Sequence, residues 1–195
     1  MPPRAPIEAF LALVKALQDG HGTVAASMAD PTSLTAWSKL QIAALAMAAE
    51  LESSTLSEGV SGAIAALPMA DSEVTRLVDT HGGLDVSDYS FEGLTLRDVA
   101  ALPPTEILAR YLERATPMGF WRASSRWPEV IGEIAEGQDG AHVLYRWDGV
   151  GSPSGLGNVE VVPFRRIADQ WRFVCASTIG PPLALFKPGT PGSWQ

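Results

Sequence analysis

At Pro128 the hydrophobic period of the chain changes from that of helices to that of strands. Before it, "PIEAFLALVKALQDG" sets Ile7, Phe10, Leu11, Val14 and Leu17 on one helical stripe, with Gly20 placed to end it. In "DPTSLTAWSKLQIAALAMAAELESS", Leu34, Trp37, Leu40, Ala44, Leu45, Ala48 and Leu51 recur at helical spacing. Thr32 or Ser33 supplies the cap, and the alanines predict a thin helix that a neighbour can approach closely. "DSEVTRLVDTHGG" predicts a short helix capped by Asp71 or Ser72 and closed by Gly82. "LPPTEILARYLERA" adds another, with Pro104 in its first turn and a stripe of Ile107, Leu108, Tyr111 and Leu112. "TPMGFWRASSRW" repeats the signal: Thr116 as cap, Pro117 at the first helical position, then Phe120 and Trp121.

Beyond Pro128, "EVIGEIAEG", "AHVLYRWDG", "NVEVVPFRRI" and "QWRFVCAS" read as four strands separated by turn signals. Strand side chains alternate, so Ala141, Val143, Tyr145 and Trp147 point one way and His142, Leu144 and Arg146 the other. Short links predict an antiparallel meander. The exception is "DGVGSPSGLG", a loose Gly/Ser/Pro connection. A hairpin across "IADQ" sets Arg166 opposite Trp171, Phe164 opposite Phe173 and Val162 opposite Cys175. On the other face Arg165 then meets Arg172, a like-charge pair that costs stability unless a carboxylate intervenes. Pro163 cannot donate to the ladder, so its strand is expected to be bulged there or to lie at an edge.

The expected fold class is α+β: N-terminal helices followed by a curved four-stranded antiparallel sheet packed on them. Residues 1–100 form the helical region, 101–185 the helix-plus-sheet region of one continuous domain, and 186–195 a loose tail.

Composition narrows the function. With 46% hydrophobic and 18% charged residues the 195-residue chain is globular, large enough for a core without metal or disulfide staples. Its net charge of −8 sits in the front: residues 1–105 hold 5 basic against 13 acidic side chains, and the remainder 9 against 9. An acidic front half argues against nucleic acid as a partner. Glu8 and Lys15 interrupt the first apolar stretch, which therefore does not read as a secretory signal. The longest apolar run, "IAALAMAA", is too short to span a bilayer. One cysteine, Cys175, fits a reducing compartment. The expectation is a soluble, cytoplasmic protein that does not engage membranes.

The back half resembles bacterial proteins of the NTF2-like kind, the cystatin-like α+β cone. "ALPPTEILARYLERA", the Trp-bearing helix, "GEIAEGQDGAHVLYR" and the pair "VEVVPFRRIADQWRFV" carry the resemblance, over roughly residues 100–178. It implies a cone-shaped cavity between sheet and helices, and a dimer through the sheet. Cone-fold relatives include isomerases, dehydratases and proteins without catalysis, and no catalytic motif of those enzymes matches here residue by residue.

Candidate chemistry is sparse. His142 could serve as a base if it faced a cavity and had an orienting partner. No carboxylate beside it is evident, and an ordinary, partly exposed sheet histidine is the plainer reading. Cys175 sits among apolar residues and reads as buried core. His81, Asp85 and Asp88 have the look of a metal triad, but Gly82 and Gly83 break the helix that would align them, so the aspartates read as caps or turn formers and no metal is expected. "GVGSPSGLG" leads into a strand rather than a helix, and "GVSGA" falls one glycine short of a nucleophile elbow, so no nucleotide cofactor is expected. Arg110/Arg114 and Arg122/Arg126 each stand one turn apart; Glu106 before Arg110 favours surface ion pairing over an anion clamp. The aromatics Trp121, Tyr145, Trp147, Phe164, Trp171 and Phe173 are dense enough to line an apolar pocket.

The leading expectation is a non-catalytic domain that binds a small apolar molecule or a protein partner, with a homodimer expected because the mixed His142–Leu144–Arg146 face calls for a cover. One alternative is an isomerase or hydro-lyase with His142 as base. Another is a helical interaction module that dimerises through its sheet.

Overall fold

The structure, a computed structural model, describes residues 5–51, 69–89, 91–115, 128–146 and 159–175. The side chains of Ala48, Leu51, Asp88 and Arg114 lie outside that description. So do Thr116, Pro117, Phe120, Trp121, Arg122, Arg126, Trp147, the segment "GVSGA", the connection 148–157 and the tail 186–195.

Helix α1, Pro6–Gln18, begins with proline in its first turn and buries Phe10, Leu13, Val14 and Leu17. Its end is a Schellman motif: Gly20 takes φ +74°, its N–H donates to Leu17 O, and the His21 N–H donates to Ala16 O at 2.8 Å. A short helix α2, Gly22–Ser27, follows at once. A Cβ at Gly22 would stand 2.6 Å from Ala109 O and 2.7 Å from Glu113 Cγ, so glycine is what lets this backbone cross another helix closely.

Helix α3, Pro31–Leu51, is capped by Asp30 rather than by Thr32 or Ser33. The Asp30 carboxylate accepts from the N–H groups of Thr32 (3.1 Å) and Ser33 (3.3 Å), with Pro31 at the position where a missing N–H costs nothing. The Ser33 hydroxyl is engaged elsewhere, donating to Asp30 O and accepting from Cys175 N–H. The expected stripe of Leu34, Trp37, Ala44 and Leu45 is buried, and so are Gln41, Ile42, Ala43 and Ala46 between them. The middle of this helix is therefore enclosed all round. Trp37 Nε1 and both polar atoms of the Gln41 amide are buried without a hydrogen-bond partner among the described residues, each at a cost of ~1–3 kcal/mol if nothing else meets them.

Helix α4, Asp71–His81, starts after Ala70, which offers no side-chain cap; Asp71 is instead its first residue and pairs with Lys39 at 2.5 Å. Asp85 forms an Asx turn, accepting from Ser87 N–H and from the Ser87 hydroxyl, ahead of the 3-10 turn Ser87–Tyr89. These bonds hold its carboxyl below the usual carboxylate range. Helix α5, Leu96–Ala101, carries a capping box in which the Thr95 side chain accepts from Asp98 N–H and the Asp98 carboxylate accepts from Thr95 N–H. Helix α6, Pro104–Ala115, buries Ile107, Leu108, Tyr111 and Leu112, the stripe its sequence predicts.

Strands β1, Glu129–Glu136, β2, Gly140–Arg146, β3, Val159–Ile167, and β4, Gln170–Phe173, form a curved, open antiparallel sheet in the order β1-β2-β3-β4. The β3–β4 register is the expected one: Arg166 faces Trp171, Arg165 faces Arg172 and Phe164 faces Phe173. Ala168 and Asp169 both take positive φ, the backbone of a two-residue hairpin whose twist matches the strands. Pro163 causes no bulge, since β2 and β3 pair in unbroken register past it. Its C=O accepts from Val174 N–H on the β4 side, and a residue's N and O point the same way in an antiparallel strand. The absent N–H thus faces the place where β4 has ended. Beyond β4, Ala29 makes a parallel bridge to Phe173, so the α2–α3 connection closes that edge. The helical layer covers one sheet face through α1, whose Phe10 ring lies 4.7 Å from that of Tyr145.

Candidate functional site

The alternation of β2 and its neighbours sorts the sequence's candidates onto two unlike faces. On the inner face Ala141, Val143, Tyr145, Val162, Phe164 and Phe173 are buried, and Trp171 is half-buried against them. Four of the six aromatics expected to line a pocket, Tyr145, Phe164, Trp171 and Phe173, therefore stand together and pack into the core with α1. Trp121 and Trp147 lie outside the described residues. Tyr145 keeps a polar handle, its hydroxyl donating to the Glu160 carboxylate at the rim. Cys175 follows β4, fully buried; burial, reinforced by the Asp30 carboxylate, pushes its thiol up to about 12.

His142 lies on the outer face, opposite Ile134 of β1 and Pro163 of β3. It has the orienting carboxylate that reading along its own strand did not reveal: Glu136, at the end of β1, is 2.8 Å from His142 Nε2. Both partners are open to water, the histidine side chain at 34% and the glutamate at 74% exposure. Chemically the pair can take up and release a proton, but nothing near it among the described residues encloses a reacting molecule.

Around that pair the outer face is apolar at its centre and charged at its sides. Ile134, Val159 and Val161 are 57%, 56% and 47% exposed, and Leu144 and Pro163 are half-buried beside them. Along β1 stand Glu129, bonded to Arg146 of β2, and Glu136. Along β3 and β4 stand Arg165 and Arg172, the like-charge pair anticipated from the hairpin. Their repulsion is met from the helical layer: Arg165 reaches the buried Asp30 carboxylate at 3.5 Å, and Arg172 donates to Ser27 O.

Among the described residues an open groove of about 570 Å³ runs between α2 and α6, bordered by Thr23, Thr105, Glu106, Arg110 and Glu113. Arg110 is bonded to Glu106 at 2.8 Å, the surface ion pair that their spacing suggests. No group of three or more metal-ligating side chains occurs among the described residues, and no helix there is long and apolar enough to cross a membrane. Comparison with family models, with curated proteins and with solved structures finds no match for this chain.

Proposed function

We propose that the chain is a non-catalytic binding domain, arranged like an NTF2-type cone, that docks a second copy of itself through the outer face of its sheet. The observation that carries this reading is the exposed apolar centre formed by Ile134, Val159 and Val161, with half-buried Leu144 beside them, on a sheet whose inner face is already covered. Apolar side chains grouped on an open sheet are the usual mark of a partner surface. The inner aromatics, being packed against α1, favour a protein partner over a small apolar ligand. The enzyme reading loses support from the same geometry, since His142 lies on the outer face of the sheet, away from the helical layer.

Charge selects how two copies meet. The face is acidic along β1, with Glu129 and Glu136, and basic along β3–β4, with Arg165 and Arg172. A two-fold axis running along the strands lays β1 of one copy over β3–β4 of the other, so unlike charges meet. An axis across the strands would stack acid on acid, which is unfavourable.

Sedimentation equilibrium of the full chain tests the proposal. A dimer is expected, and Val161→Glu, which buries an unpaired carboxylate at ~3–5 kcal/mol, should weaken it by roughly 10²–10⁴-fold with the fold retained by circular dichroism. A wild-type chain that stays monomeric at high concentration overturns it.

A further inference from the structure

Two consecutive turns of α3 carry polar groups that the fold leaves unanswered, far from the sheet's outer face. Trp37 is 1% exposed and Gln41 0%. Among the described residues, the indole N–H and both the N–H₂ and the oxygen of the carboxamide have no hydrogen-bond partner. Residues four apart stand one above the other on the same helix face, with Cβ atoms about 5–6 Å apart, so one small molecule can reach both. Buried polar groups in native proteins are met by protein, by ordered water or by a ligand, and three unmet atoms on two residues one helical turn apart are a concentration, not a scatter.

The surroundings define what such a guest must be. Trp37 belongs to the core cluster with Leu34, Leu45, Ile107 and Leu108, and the Tyr111 ring meets its indole edge-on at 5.1 Å. Burial pushes the Tyr111 hydroxyl up to about 12, so it is neutral near pH 7. The buried carboxylate of this helix, Asp30, lies seven residues before Trp37 and is engaged by the first turn of α3 and by Arg165. Asp30 is the one charged side chain buried among the described residues, so an ionised guest would be too costly to desolvate. A guest must accept from the indole, and the carboxamide asks for both a donor and an acceptor.

We propose that the Trp37–Gln41 face of α3 is an internal binding site for a small uncharged molecule carrying both hydrogen-bond acceptor and donor. Water is the smallest molecule of that description, and small amides and alcohols are its organic counterparts. The site is independent of the dimer reading and does not fall with it.

Nuclear Overhauser spectra of the ¹⁵N-labelled full chain test the site, with Trp37→Phe assigning the indole resonance. The Trp37 indole proton should show a cross-peak to a non-protein proton resident for longer than nanoseconds. A peak at the water frequency identifies ordered water. A peak elsewhere, with a discrete extra mass in native mass spectrometry that is lost on unfolding, identifies an organic guest. Gln41→Leu should abolish the cross-peak, with Gln41→Met as the substitute where leucine does not fold. An indole proton that sees protein protons alone, with a native mass equal to that of the chain, overturns the site, as does a cross-peak that survives loss of the Gln41 amide.

Discussion

On β2, Ala141, Val143 and Tyr145 are buried against α1, while His142, Leu144 and Arg146 between them stay half-exposed. The same contrast runs through β3, where Val162 and Phe164 are buried and Val161 and Arg165 are not. Both faces hold apolar residues, so composition does not separate them; what separates them is cover. Each inner side chain taken fully out of water contributes ~1.5–3 kcal/mol to folding. The outer ones, still wet, contribute little to the lone chain and leave apolar area open, the area that the proposed docking would use. On that proposal, stability and recognition divide along the pleat of one sheet.

Truncating one inner and one outer residue of β3 is the hardest test of that division. Phe164→Ala should cost ~3–5 kcal/mol in denaturant melts, since a buried ring leaves a cavity that its neighbours cannot fill. Val161→Ala, three residues earlier on the same strand, should change the stability of the monomer by no more than ~0.5 kcal/mol. Comparable losses at the two positions would mean that the outer face is covered within the single chain.

Cys175 tests the inner side without altering it. With its thiol near 12, roughly one molecule in 10⁴ is thiolate at pH 8, and the sulfur is enclosed as well. Thiol reagent should therefore label the native chain at the rate at which it opens, and label it at once in denaturant. Fast stoichiometric labelling of native protein would show that the core behind β4 is open.

Much of this architecture is legible in the residue pattern, and the gaps have physical causes. The stripe of α1, the stop at Gly20 and the β3–β4 register follow from periodicity and turn chemistry, which act locally. Helices α2 and α5 span six residues each, too few to show a period, and are held by contact with α6 and by the Thr95–Asp98 capping box. The cap of α3 was readable in "DPTS", because proline at the first helical position marks the residue before it. Asp30 meeting Arg165 was not readable, because 135 residues separate them. Glu136 escaped for a subtler reason. It sits on the neighbouring strand, diagonal to His142, and only the β1–β2 register reveals the pair.

That pair supplies the smallest and most discriminating comparison. His142 and Glu136 are joined at 2.8 Å but stand in water, where an exposed ion pair contributes ~0–1 kcal/mol. His142→Ala should therefore cost ~1 kcal/mol or less, several-fold below the loss from Tyr145→Ala, whose ring packs at a tilt against Phe10 inside the core. The measurement is a pair of denaturant melts at protein concentrations where the chain is monomeric. Repeating them at high concentration sharpens the result, because a histidine covered by a second copy should gain an energetic role only in the dimer. A His142→Ala loss that exceeds the Tyr145→Ala loss in the monomer would mean that β2 is turned with its histidine face inward. The His142–Glu136 pair would then be enclosed, and proton-transfer chemistry rather than docking would become the use of this sheet.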